Sequence, residues 1–135
     1  MKELKAEMIK IYKINKLGYD FMGYTFKNQR QLSYHHLIVP KRFGGQETVS
    51  NGAILRQNTS HDYLHKIEDL DPEIFQLITE QMIQENLKCR LDIDNLKRIR
   101  DLLLYFEKEH KYDTTKKGKR IIQREYIRER IDIWK

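Results

Sequence analysis

Apolar residues recur along this chain in two rhythms, and the change from one to the other divides it near residue 70. Beyond that point the spacing is helical. Asp71-Pro72 reads as a capping acid followed by proline at the first helical position, and Ile74, Leu77, Ile78 and Met82 then share one face through about Lys88. After a break at 90–94, Leu96, Ile99, Leu102, Leu103 and Phe106 mark the buried side of another helix. A polar, basic linker leads to a last helix carried by Ile121, Ile122, Tyr126, Ile127 and Ile131.

Before residue 70 the pattern is shorter and more extended. Residues 31–39 read as a strand stopped by Pro40, and Gly52 to Leu55 as its partner, with Gly44-Gly45 in the loop between them. Thr59 or Ser60 is suited to cap a helix starting near His61, which carries Leu64 and Ile67 inward and Asp62 in its first turn. Tyr24 to Phe26 forms a short extended piece. Residues 1–17 show no clean period, although Leu4, Met8 and Ile11 favour a helix. Tyr24, Tyr34 and Phe43 read as core.

The expected fold class is therefore α+β and mostly helical. It comprises a basic N-terminal segment (1–22), a strand–loop–strand–helix unit (23–70), a helical hairpin (71–112), and a basic linker with a C-terminal helix (113–135). At 135 residues these form one compact domain.

Charge adds a direction to this outline. Lys and Arg outnumber Asp and Glu by 9 to 4 in residues 1–50 and again in 111–135, whereas residues 51–110 hold 8 against 12. Basic ends around an acidic middle suit a polyanionic partner gripped by the termini, and equally a solubilising surface. The acidic helices over 73–106 offer a face for a second copy or a protein partner. The single cysteine, Cys89, excludes an internal disulfide and reads as a half-buried residue without chemistry. No run is long and apolar enough for a membrane span, and the first ten residues lack the apolar core of a secretory signal. The expectation is a soluble, cytoplasmic protein that does not engage a membrane.

Histidine placement is the most informative feature. Four of the five histidines fall between residues 35 and 65, as the adjacent pair His35-His36 and the i,i+4 pair His61 and His65. His110, the fifth, reads as an exposed helix end. Imidazole accepts protons near neutral pH and ligates metals. Neighbours on a regular strand point to opposite faces, so His35 and His36 cannot do one job. At a strand end beginning to turn, one can face a metal while the other faces the water beside it. His61 and His65 project from one helix face and can share an ion. Three imidazoles with positions left open make a catalytic metal site. Asn51 can donate and accept through one amide, which suits it to tying down the glycine loop.

The order His35-His36, Gly44-Gly45, Asn51, His61-x-x-x-His65, with His36-Leu-Ile-Val-Pro40 around its start, resembles the HNH endonucleases, the ββα-metal or His-Me finger nucleases. The likeness is greatest to the branch typified by colicin-type DNases and covers about residues 31–68. It implies a small ββα-metal finger with a helical C-terminal half. It implies His36 as the general base, His35 and His61 as ligands of one divalent ion with His65 as a third, and Asn51 as the residue positioning the loop of His36. The ion would be magnesium, manganese, zinc, nickel or cobalt. The substrate implied is nucleic acid, DNA in preference to RNA, with phosphodiester hydrolysis as the reaction. Two departures stand out. The cysteine pairs that many members place around the motif are missing, and the interval from Asn51 to His61 is about one residue longer than in many relatives. Arg30, Lys41, Arg42 and Arg56 flank the motif as candidate phosphate contacts, and Lys116, Lys117, Lys119 and Arg120 form a candidate basic arm. The competing reading is a non-catalytic accessory protein that keeps the finger as a scaffold for nucleic acid or metal.

Overall fold

The computed structural model describes residues 2–110. The candidate arm at Lys116, Lys117, Lys119 and Arg120 and the last helix lie outside the described residues. Among the described residues, five α-helices, α1 (Lys2–Ile11), α2 (Ile14–Leu17), α3 (Ser60–Leu70), α4 (Pro72–Lys88) and α5 (Ile93–Glu109), surround two strands, β1 (Leu32–His36) and β2 (Gly52–Arg56). The strands form an antiparallel sheet in which Leu32 pairs with Arg56 and His36 with Gly52. This is an α+β fold in which β1, β2 and α3 follow one another.

β2, Gly-Ala-Ile-Leu-Arg, has no alternation of apolar and polar residues, and its burial accounts for that. Ala53, Ile54 and Leu55 are all fully buried, and the strand contacts α1 as well as α3 and α4. A strand covered on both sides reads as a continuous apolar run. The α1 side of that cover includes Met8, Tyr12, Ile14, Phe21, Met22 and Tyr24, which join one core with Tyr63, Leu64, Ile67 and Met82. Residues 2–22 thus contribute to the central packing. Their irregular period has a local cause: Lys13 sits at φ 55, and this left-handed residue splits the expected single helix into α1 and α2.

The helical half follows its signals closely. The Asp71 carboxylate accepts from the Ile74 N–H at 3.2 Å, with Pro72 at the first position, and Asp92 caps α5 by accepting from Asp94 N–H at 2.9 Å. Between them, Cys89 ends α4 in a left-handed conformation and is exposed, not half-buried. His110 is not a free helix end either. Its ring lies 4.5 Å from Phe106 and its Nε2 is 3.1 Å from the Asp71 carboxylate, which ties the end of α5 to the start of α4.

Three expectations fail for identifiable reasons. β1 ends at His36 instead of running to residue 39, because the N–H groups of Ile38 and Val39 turn to the Asn51 side chain. Neither Thr59 nor Ser60 caps α3 through its side chain; the Ser60 hydroxyl is taken by the carboxylate of Asp20. Phe43 is not core: it is 71 % exposed at the tip of the loop between the strands. Tyr34 is only partly buried, and Tyr24 is fully buried as expected. Among the described residues, no helix is long and apolar enough to cross a membrane.

A candidate metal centre facing a cavity

Strand alternation sorts the histidine pair. Ser33 and His35 lie on the face of β1 that meets α3, whereas Tyr34 and His36 lie on the other, with their rings edge to face at 4.9 Å. On α3, His61 and His65 are one turn apart and their rings are 4.9 Å from each other. Both turn towards His35, whose ring centre is 5.1 Å from that of His61 and 5.3 Å from that of His65. Each of the three offers a nitrogen lying within 4.8 Å of the others, close enough to hold one metal ion.

The surroundings keep these imidazoles available as ligands. His35 is only 4 % exposed. Burial, together with the neighbouring His61, His65 and His36, lowers its pKa from the usual 6.5 to about 3. Burial and His65 lower that of His61 to about 4, against a small upward pull from Asp62. Both rings are therefore neutral at physiological pH, the form that binds metals. Their orientation is fixed from behind. The Ser33 hydroxyl contacts the Leu55 carbonyl at 3.1 Å and His61 Nδ1 at 2.7 Å. With its one proton on that carbonyl, its oxygen accepts from Nδ1–H and leaves the Nε2 lone pair of His61 pointing at His35 Nδ1, 3.3 Å away. Glu68 approaches His65 Nδ1 at 3.3 Å and orients that more exposed ring in the same manner.

Asn51 uses its whole amide on the loop after β1. Its Oδ1 accepts from the N–H groups of Ile38 and Val39, both at 2.9 Å, and its Nδ2 donates to the carbonyls of Val39 at 3.1 Å and Gln46 at 2.9 Å. The loop closes so tightly that a Cβ at Gly45 would run into the Val39 carbonyl, which accounts for the second glycine of the pair. Asn51 is held in turn through Asn86 on α4, which donates to the carbonyls of Val49 at 2.6 Å and Gly52 at 2.8 Å.

His35, His36, His61 and His65 all line one cavity of about 700 Å³. His36 lies outside the three-nitrogen cluster, and its buried Nε2 has no hydrogen-bond partner among the described residues, nor has that of His35. Lys41 and Arg42 of the Asn51-held loop reach the same cavity. Arg30 and Arg56 do not line it. They stand at the opposite end of the sheet, where the Arg56 guanidinium donates to the Thr25 carbonyl at 2.9 Å and the Arg30 carbonyl accepts from Gln57 at 2.9 Å. Their candidacy as contacts to a phosphate at the histidines is not supported. Ser33 and Glu68 were missed in the sequence, although their spacing from His35 (i−2 on a strand) and His65 (i+3 on a helix) marks them as sharing those residues' faces.

No protein-family model, curated protein or solved structure matches this chain, so the case for its chemistry rests on the site itself.

Proposed function

We propose that this chain is a metal-dependent endonuclease of the HNH type, hydrolysing phosphodiester bonds of DNA, with β1, β2 and α3 as its ββα-metal finger. The observation that carries the reading is the convergence of His35, His61 and His65 beside a fourth histidine in one cavity. The donor set fits a divalent ion. The three nitrogens are mutually close, two of the rings are kept neutral, and the cavity leaves room for water and phosphate. When bound, such an ion would supply positive charge to offset the negative charge developing on the phosphorane and leaving oxygen.

The side chains divide the remaining work. His36, outside the ligand cluster but lining the same cavity, takes a proton from the attacking water. Asn51 holds the backbone immediately after His36, so the base and the cationic loop keep a fixed relation to the ligands. Lys41 and Arg42 meet the phosphate from that loop. Incubation with supercoiled plasmid across magnesium, manganese, zinc, nickel and cobalt tests the reading. Nicking that requires one of these ions, and is lost in His61→Ala together with metal affinity, is the expected result. Binding of plasmid without nicking under every ion would favour the accessory role instead.

A further inference from the structure

The histidines of the cavity are not oriented alike. His61 is fixed by the Ser33 hydroxyl at 2.7 Å and His65 by Glu68 at 3.3 Å, whereas the His36 ring has no hydrogen bond among the described residues. Asn51 fixes the backbone after His36, at Ile38 and Val39, and leaves the rotation of the ring itself open. A proton acceptor free to turn spends little time facing the water it is to activate, and small misplacements of a reacting group slow a reaction sharply.

The contact available to hold this ring is aromatic. Tyr34, two positions before His36 on β1, stands on the same face of the strand, and its ring meets the imidazole at 89° with the centres 4.9 Å apart. Aromatic pairs favour this perpendicular arrangement, in which a positive edge meets an electron-rich face. The tyrosine is itself clamped at its far end. Its hydroxyl donates to the Thr48 carbonyl at 2.7 Å and accepts from the Thr48 N–H at 3.1 Å. Room for the ring comes from β2. Gly52 lies directly opposite His36 in the sheet, so a side chain there would stand on the face that Tyr34 and His36 occupy. A Cβ at Gly52 would run into the Tyr34 ring, although the backbone there (φ −136, ψ 157) is extended and open to any residue. The glycine answers a need for space, not for conformation.

We propose that Tyr34, seated in the space left by Gly52, is the positioning residue of the His36 imidazole. Its part in the reaction rests on the nuclease reading of the histidine site; the contact between the rings does not. Three variants separate ring from hydroxyl. Tyr34→Leu removes the ring, Gly52→Ala displaces it, and Tyr34→Phe keeps it without the bonds to Thr48. In metal-free protein the ring ¹H resonances of His36, shifted by the tyrosine ring beside them, should move in Tyr34→Leu and Gly52→Ala. They should stay near wild type in Tyr34→Phe. In plasmid nicking, kcat should fall at least about tenfold in Tyr34→Leu and Gly52→Ala and return to within about threefold of wild type in Tyr34→Phe, with KM and metal affinity unchanged throughout. A His36 resonance unmoved by Tyr34→Leu overturns the proposal. So does a moved resonance with kcat unchanged, or an equal loss of kcat in Tyr34→Phe while its His36 resonance stays in place. Should Tyr34→Leu fail to fold, Gly52→Ala against Tyr34→Phe carries the same comparison. Resonances that move as expected in a protein that nicks no plasmid under any ion would leave the contact standing and remove the nuclease.

Discussion

Two groups of buried polar side chains lie towards opposite ends of the small sheet, and they are treated in opposite ways. At the end of β2, the Asp20 carboxylate accepts from the N–H groups of Met22 at 2.9 Å, Tyr24 at 3.0 Å and Arg56 at 2.8 Å, and from the Ser60 hydroxyl. Burial pushes its pKa up, and all four donors pull it back. Nothing on that side chain is left to bind anything else. At the cavity, by contrast, His35 Nε2, His36 Nε2 and Thr79 Oγ1 are buried without partners among the described residues. Buried polar atoms are nearly always paired, so these three stand out against the satisfied carboxylate of Asp20. Glu85 is a third case. Its carboxyl is also unpartnered, but it does not line the cavity, and burial raises its pKa well above 4.5, favouring the neutral acid. The comparison separates scaffold from candidate site: a satisfied polar cluster holds the fold, and the histidine cluster keeps three nitrogens close enough to share one ion.

The contrast can be broken from either side. The largest effect is expected at His36, where alanine should reduce plasmid nicking by about 10²–10⁴-fold while metal affinity and unfolding midpoint stay near wild type. Nicking at the wild-type rate by that variant would remove His36 from the base role. Next comes Asp20→Ala, which removes the buried acceptor that four donors share. Urea denaturation should show a loss of about 3 kcal/mol or more, with metal affinity per folded molecule unchanged. A smaller effect is expected at Ser33. Alanine there frees the His61 ring from its orienting contact and should weaken divalent metal binding by about 10–100-fold in a calorimetric titration.

The smallest effect is one of slope. His35 has a pKa of about 3 in the folded chain against 6.5 in the unfolded, so between these values the unfolded chain binds the extra proton. Stability conferred by the folded state must then decline as pH falls below 6.5. His35→Leu removes that dependence, and without metal its stability should fall less steeply than wild type over this window, by about 1 kcal/mol per pH unit. Parallel stability curves would contradict the buried, neutral state assigned to this ring.

Much of the site was legible in the sequence because its signals are local. An adjacent His pair, an i,i+4 pair and an asparagine between them need only the periods of strand and helix to be placed. The two capped helices were legible for the same reason: Asp71-Pro72 and the apolar stripe of α4 act within one element. What escaped depends on contacts far apart in the chain. Asp20 joins Ser60 across forty positions, and nothing around Asp20 distinguishes it from a surface acid. Phe43 was read as core from its type alone, whereas the Asn51 hydrogen bonds and Gly45 turn its loop outward. The unpartnered hydroxyl of Thr79 has no sequence signature either.

The central claim, that these imidazoles form one metal centre, is tested most directly by following histidine ring ¹⁵N resonances as zinc is added. Resonances of His35, His61 and His65 should move together and saturate at one ion per chain, while those of His110 stay in place. Movement of His110 alone, or no change in the three through a full equivalent of zinc, would contradict it.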